Sequence, residues 1–210
     1  MQLVNICARK SSTLIIMHNK TNPILLTLVL LLFSFFSQAQ VYTSKSHKVV
    51  INGSSNVHDW TSVVGIVNVQ GDFIFSNGVL QKLNGAQVVI LTKSIKSTKN
   101  SSIMDDRTYS TLKADKNPNI VFTATRLGGI VPGKNETTVT VSGTLNIAGA
   151  SRPVDLVFKI KTLSNGDLEI KGSQKVIMSN HGIKPPSFML GAMKVGDEVT
   201  IEYYVLLQKK

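Results

Sequence analysis

The stretch TTVTVSGTLNI, residues 137–147, alternates apolar and polar side chains, and a second alternating stretch, RPVDLVFKIKTL, follows at residues 152–163. The apolar positions recur at every second residue, namely Val139, Val141, Leu145 and Ile147, then Val154, Leu156, Phe158 and Ile160. A period of two is typical of strands that bury one face. Gly149-Ala150-Ser151 between the two stretches is typical of a turn. The region therefore predicts two half-buried strands joined by a turn.

The same alternation extends in both directions along the chain. Further strands are predicted at Lys48–Gly53, Val63–Ser76, Ala86–Thr92, Asn119–Leu127, Asp167–Met178 and Val199–Leu207. The strand Val63–Ser76 contains Gly65 and Gly71, as expected where a strand bends at a barrel corner. These strands predict one all-β domain over residues 40–210, an antiparallel eight-stranded barrel, with a sandwich as the alternative.

One segment, Ser101–Ala114, breaks the alternation and predicts a single short helix. Asp105 and Asp106 come early and Lys113 late, which suits the helix dipole. We expect Asp105 or a preceding serine to cap its N-terminus. Because the segment lies between strands, we expect it to plug one barrel end and to bury Met104, Tyr109 and Leu112.

Residues 1–39 have the features of a cleaved signal peptide. The uncharged run Ile24–Phe36 has basic residues before it, and Ser37-Gln38-Ala39 after it suits cleavage before Gln40. At about 1.5 Å per residue, the run is too short for a bilayer core of about 30 Å. A retained membrane anchor is the alternative. Export predicts a periplasmic location for residues 40–210.

Composition limits the chemistry of the exported part. The only cysteine, Cys7, lies within residues 1–39, so residues 40–210 cannot form disulfides or cysteine metal sites. Residues 1–39 hold three of the 23 basic residues and none of the 12 acidic ones, which leaves +8 on residues 40–210. Its lysines are scattered, as on a solvated surface; the alternative is transient contact with an anionic membrane surface or a lipid pyrophosphate. Nucleic acid is not an expected partner.

Catalytic motifs are missing from the sequence. His47, His58 and His181 are dispersed rather than paired at metal-ligand spacing, and there is no G-x-S-x-G or phosphate-binding loop. Asp105 and Asp106 are adjacent, and neighbouring helical residues point in different directions, so they do not form a carboxylate pair. His58 and Asp59 are interpreted as turn residues with local hydrogen bonds. The chain is expected to be neither an enzyme nor a cofactor-binding protein.

Inward apolar residues of an eight-stranded barrel either fill it or surround one small ligand, and alternation does not decide between these outcomes. If the barrel is hollow, the large side chains at inward-facing strand positions are the candidates to line the ligand. These are Trp60, Phe73, Phe75, Phe122, Leu145, Phe158 and Ile160.

Four motifs, taken in order, resemble those of the YceI-like, lipocalin-like polyisoprenoid-binding proteins of bacteria. They are GSSNVHDW (residues 53–60), MDDRTYSTLKA with NPNIVF (104–114 and 117–122), VSGTLNIAG with RPV (141–149 and 152–154), and MSNHGIKPP with MKVGD (178–186 and 193–197). The resemblance covers essentially all of residues 40–210.

The resemblance implies an extended eight-stranded barrel with a hydrophobic interior, closed at one end near the helix. It also implies a periplasmic protein that carries or stores an isoprenoid-type lipid, either polyprenyl or quinone-like. Three alternatives remain: a carrier of fatty acids or other amphiphiles, a ligand-free structural or stress-response barrel, and an enzyme that uses His58 and His181.

Overall fold

A computed structural model describes residues 40–76 and 79–210. The predicted signal peptide lies outside these residues. Across the described ranges, no helix has the length and apolar character needed to cross a bilayer.

Eleven strands and one α-helix make up the described fold. The strands are β1 (Val41–Ser55), β2 (Trp60–Val64), β3 (Val67–Ser76), β4 (Val79–Leu91), β5 (Ile95–Ser97), β6 (Asn119–Pro132), β7 (Thr137–Ile147), β8 (Ala150–Thr162), β9 (Leu168–Ile177), β10 (Ser187–Phe188) and β11 (Met193–Lys209). The helix α1 spans Ser102–Thr111. Each of the eight predicted strands overlaps one of these strands or, for Val63–Ser76, two consecutive ones.

The sheet closes into a barrel. Its antiparallel order runs β11, β9, β8, β7, β6, β4, β3 and β1, and β1 pairs again with β11. β2 continues the line of β3 along β1, and the two are separated at Gly65-Ile66, where the predicted bend occurs. Counting β2 and β3 as one bent strand gives a barrel of eight strands. This closed, antiparallel, all-β barrel with one short helix confirms the predicted fold class.

The helix α1 follows from a local capping signal. The Ser101 Oγ accepts a hydrogen bond from the Met104 N–H at 3.3 Å, so Ser101 is the N-cap. Asp105 has another partner, because its carboxylate accepts the Ser97 N–H at 2.7 Å. The Asp105 carboxylate also pairs with Lys96 Nζ at 3.1 Å, which ties the helix to β5. Met104, Tyr109 and Leu112 are half-buried rather than fully buried.

The interior of the barrel divides into two halves along its axis. The half near the β6–β7 and β8–β9 turns is filled by a large cluster that includes Tyr42, Phe73, Leu80, Leu168 and Leu207. The half under α1 is lined by smaller clusters around Ile147, Val176 and Val199, and around Val49 and Ile95. We call these the packed half and the helix half.

As expected, α1 covers the barrel end near the helix, but a cavity remains beneath it, and the filled end is the opposite one. The helix α1 lines the cavity with Ile103, Met104, Arg107, Thr108 and Thr111 and does not fill it. The packed half, by contrast, receives Phe73, Phe122 and Phe158 from three strands.

Candidate ligand-binding cavity

A cavity of about 490 Å³ lies between α1, the inner face of the helix half and the segment that joins β9 to β11. This volume falls within the range of about 300–1,000 Å³ that is common for small-molecule pockets. The residues at its outer edge, His58, Lys99, Ile103 and Arg107, are exposed, so the cavity opens to solvent there. We call this opening the mouth.

The wall of the cavity is predominantly apolar. Strands β1, β2, β5, β6, β7, β9 and β11 contribute to it, and α1 and the β9–β11 segment complete it. Its apolar members include Ile51, Trp60, Ile95, Met104, Leu112, Ile120, Ile147, Val176, Met178, Ile183, Phe188, Val195, Val199 and Ile201. Across the described residues, no buried side-chain nitrogen or oxygen lacks a hydrogen-bond partner. The wall therefore presents no unpaired buried side-chain donor or acceptor that a polar ligand would satisfy.

Trp60 owes its place in the wall to a glycine on the neighbouring strand. Gly53 and Trp60 are paired between β1 and β2, and a Cβ added to Gly53 would overlap the indole ring. The missing side chain lets the ring lie directly against the β1 backbone. The indole Nε1–H donates to the Ser54 carbonyl at 3.1 Å, which fixes the ring orientation. The motif GSSNVHDW thus forms one side of the cavity.

The loop within that motif is held by Ser55. The Ser55 Oγ accepts the backbone N–H groups of Val57 and His58 and donates to the His58 carbonyl at 2.7 Å. This places His58 in a turn with local hydrogen bonds, as predicted from the sequence. Asn56 ties the turn to the start of β11 by donating to the Ala192 carbonyl and accepting the Lys194 N–H, both at 2.8 Å.

The helix that covers the cavity is fastened at Tyr109. Its hydroxyl lies 2.9 Å from the Lys93 carbonyl and 3.0 Å from the Ile95 carbonyl. The Lys96 Nζ stands 5.2 Å from the centre of the Tyr109 ring, a cation–π contact. Hydrogen bonds with Tyr109 and Asp105 raise the pKa of Lys96 above its ordinary value. Asp105 and Tyr109 therefore position α1 and do not point to acid–base chemistry.

The mouth carries positive charge. His58, Lys99 and Arg107 contribute to the lining, and no acidic residue does within the described ranges. Arg107 lies over the Phe188 ring at 5.4 Å from its centre. Neither Lys99 nor Arg107 forms a salt bridge with any described residue. The site therefore has an apolar interior beneath a basic rim.

The structure places the seven residues predicted to line a ligand in two regions. Trp60 lines the cavity. The other six belong to the packed half or pack against it: Phe73, Phe75, Phe122, Leu145, Phe158 and Ile160. Leu145 also packs against the Ile147 cluster, so it lies at the boundary of the two halves. A ligand contact for these six stays a prediction.

Phe158 and Tyr203 also border a shallow outer depression where β8 and β9 separate. These strands pair only from Phe158–Gly172 to Thr162–Leu168. The Tyr203 ring lies over Gly172, and its hydroxyl reaches the Val157 carbonyl at 3.5 Å. Burial raises the pKa of Tyr203 to about 12, so this phenol stays neutral at ordinary pH. Tyr203 thus covers the point where strand pairing stops.

The predicted inward strand positions did not include the cavity residues of two segments. One is α1 with the residue after it, which contribute Met104, Arg107 and Leu112, and the other joins β9 to β11 and contributes Ile183 and Phe188. Both segments belong to the motifs 104–114 and 178–197 that carried the family resemblance. The motifs were the sequence feature that could have pointed to these cavity residues, since neither segment has the apolar–polar alternation that was used to select the candidates.

The two histidines of the enzyme alternative, His58 and His181, have different surroundings. His58 is exposed at the mouth, whereas His181 is buried, with Nδ1 at 3.4 Å from the Ala150 carbonyl. Within residues 40–76 and 79–210, no group of three or more potential metal-ligating side chains occurs.

The YceI-like domain profile matches residues 42–207. Solved structures share the fold. Burkholderia cenocepacia BcnA aligns with a TM-score of 0.60 and 18% identity, covering 76% of this chain and 95% of that protein. A polyisoprenoid binding domain from Saccharophagus degradans, implicated in plant cell wall breakdown, aligns with a TM-score of 0.61 and 12% identity, covering 82% and 99%.

The Campylobacter jejuni YCEI protein aligns with a TM-score of 0.52 and 18% identity, covering 71% of this chain and 84% of that protein. No curated protein sequence matches the chain.

Proposed function

This chain belongs to the YceI-like domain family, and on that premise we propose that it is a non-enzymatic carrier or store for an isoprenoid-type lipid. The observation that carries the proposal is the apolar cavity under a basic mouth. The Saccharophagus degradans protein with this fold is a polyisoprenoid binding domain, which supports the same ligand class here. The YceI-like fold is a fold of binding proteins.

The cavity wall suits a hydrocarbon chain. Burying each CH₂ group contributes roughly 0.8 kcal/mol, so several isoprene units give strong binding without directed polar bonds. The packed half fills the remaining barrel, so the chain enters from the mouth and ends near Leu145. Specificity then depends on the length and shape of the chain.

The mouth suits the polar head of the same lipid. Lys99 and Arg107 have no carboxylate partner among the described residues, and both contribute to the lining. A polyprenyl phosphate would pair with them, and a quinone-like head would accept hydrogen bonds from them. A fatty acid would also present its carboxylate to these groups, so the same rim favours that second ligand class.

We also propose that the protein acts in the periplasm after cleavage before Gln40. This proposal rests on the basic flank, the apolar run Ile24–Phe36 and the small residues that follow it. N-terminal sequencing of protein from the native host checks it. Full-length chain in salt-washed membranes would contradict it.

Trp60 provides a built-in test of ligand binding, because it is the only tryptophan of the chain and lies in the cavity wall. Purified protein is titrated with geraniol, farnesol and geranylgeraniol. We expect saturable changes in Trp60 emission, with affinity rising at least tenfold per added isoprene unit until the cavity is full.

The control ligand is eicosanol, which has the same number of carbons as geranylgeraniol but an unbranched, saturated chain. Tighter binding of geranylgeraniol supports isoprenoid specificity, and equal binding supports a general amphiphile carrier. No saturable change with either ligand, together with a lipid-free extract of protein from the native host, would overturn the lipid-binding proposal in favour of a ligand-free barrel.

A further inference from the structure

The mouth is surrounded by exposed apolar side chains. Among the described residues, four large apolar side chains are more than half exposed: Leu190 at 110%, Ile103 at 72%, Val131 at 65% and Val57 at 61%. Three of these four belong to segments that line the cavity. Ile103 contributes to the cavity lining, Val57 lies between the lining residues Ser55 and His58, and Leu190 lies between Phe188 and Met193.

Leu190 combines full exposure with an unfavourable backbone conformation. Its φ is +57° and its ψ is +30°, in the left-handed region that disfavours residues with a Cβ. A fully exposed leucine in this conformation gains nothing from the protein itself. Such an arrangement points to a contact made outside the chain.

The cations of the mouth lie beside these apolar side chains. Lys99 and Arg107 have no salt bridge with the described residues. The exposed Asp106 adjoins Arg107 in sequence, and the exposed Asp59 adjoins His58, but neither carboxylate contributes to the lining. The carboxylate of Asp105 is already engaged by Lys96 and the Ser97 N–H.

From this arrangement we infer that the mouth end docks on an anionic lipid bilayer, with Val57, Ile103 and Leu190 inserted among the lipids and Lys99 and Arg107 on lipid phosphates. Apolar tips combined with basic residues are the two features that bind proteins to anionic membrane interfaces. The net charge of residues 40–210 has the complementary sign.

A bilayer fits this surface better than a protein partner does. The apolar residues stand on three separate segments, each of which contributes residues to the cavity lining. Docking in this orientation points the open cavity at the lipid, so a chain passes between membrane and barrel without crossing water. The inference does not depend on the chain being isoprenoid.

Flotation with vesicles tests the inference. Purified protein is mixed with vesicles of phosphatidylglycerol and phosphatidylcholine, or with phosphatidylcholine alone. We expect binding to the anionic vesicles that weakens as salt is raised. The double variant Val57→Asp with Leu190→Asp should bind at least tenfold more weakly, whereas Val131→Asp at the opposite barrel end should bind like the wild type.

The same variants are titrated with geranylgeraniol by Trp60 emission, because neither Val57 nor Leu190 contributes to the cavity lining. Unchanged titration with lost flotation supports a docking surface distinct from the cavity. Absence of wild-type flotation, equal loss in Val131→Asp, or equal binding to both vesicle types would overturn the docking inference. If the wild type does not bind geranylgeraniol, the proposed function is overturned and not the docking inference.

Discussion

The two halves of the barrel are built from the same eight strands, yet one half is filled with side chains and the other is hollow. β7 shows the contrast on a single strand, since Val139 and Val141 lie in the packed cluster and Ile147 lines the cavity. The packed half receives aromatic rings from several strands, whereas the helix half is covered by α1, which lines the cavity without filling it. The difference therefore results from the side chains that the strands and the helix supply to each half.

Ion pairing differs between the packed end and the mouth. At the packed end, Glu136 pairs with Lys159 and Lys171, each at 2.7 Å, and Lys45 pairs with Asp167 at 2.8 Å. At the mouth, Lys99 and Arg107 have no such partner among the described residues. The packed end uses charge to link its strands, and the mouth leaves charge available for a ligand or a surface.

The largest expected effect is loss of a ring from the packed half. Replacing Phe73 by Ala should lower the free energy of unfolding by about 3–5 kcal/mol, because a buried aromatic group is removed from a filled core. Phe188→Ala at the mouth should cost less than about 1 kcal/mol. Urea denaturation measures both, and similar losses would remove the distinction between the halves.

Two valines on β11 provide a matched test of whether the packed half is filled and the helix half is hollow. Val205 is buried in the packed cluster, and Val199 lines the cavity. Val205→Phe should overfill the core and cost about 1–3 kcal/mol. Val199→Phe should leave the unfolding free energy of ligand-free protein nearly unchanged and weaken geranylgeraniol binding at least tenfold. A stability loss in both variants, with binding preserved, would show that the helix half behaves as ordinary core.

Two glycines that face aromatic rings sharpen the comparison. A Cβ on Gly143 would overlap both the Phe122 ring and the Thr123 carbonyl, whereas a Cβ on Gly53 would overlap only the Trp60 ring. Backbone cannot move aside as a ring can, so Gly143→Ala should cost about 1–3 kcal/mol and Gly53→Ala less. Gly53→Ala should instead shift Trp60 emission, since the ring must move. Unchanged emission would contradict this account of the cavity wall.

The smallest expected effect concerns the ion pairs of the packed end. Hydrogen bonds from Lys159 and Lys171 hold the pKa of Glu136 at about 2, below its ordinary value of 4.5. Stability from this group is therefore complete above pH 4.5 and is lost as pH falls toward 2. Melting temperatures across this range should fall less steeply in Glu136→Gln than in the wild type. An identical slope would show that the pairs contribute nothing measurable, as many exposed pairs do.

The sequence by itself determined the strands, their inward faces and the position of the one helix. These features come from local rules: alternation marks a buried face, and Ser101 marks a helix start. Residues 137–147 and the single helix near 101–114 were predictable for this reason. A turn with local hydrogen bonds was predictable in GSSNVHDW, because serine side chains form hydrogen bonds with nearby backbone groups.

Only the tertiary structure decided where along the barrel the cavity lies. Alternation repeats every two residues, so it assigns Leu145 and Ile147 to the same face without saying which half either occupies. That choice depends on groups distant in sequence, such as Thr108 of α1 and Ile183 after β9, which border the space beside Ile147. The local alternation determines which face of a strand each side chain occupies. The volume of a cavity depends on all the elements that meet around it, so only their packing determines it.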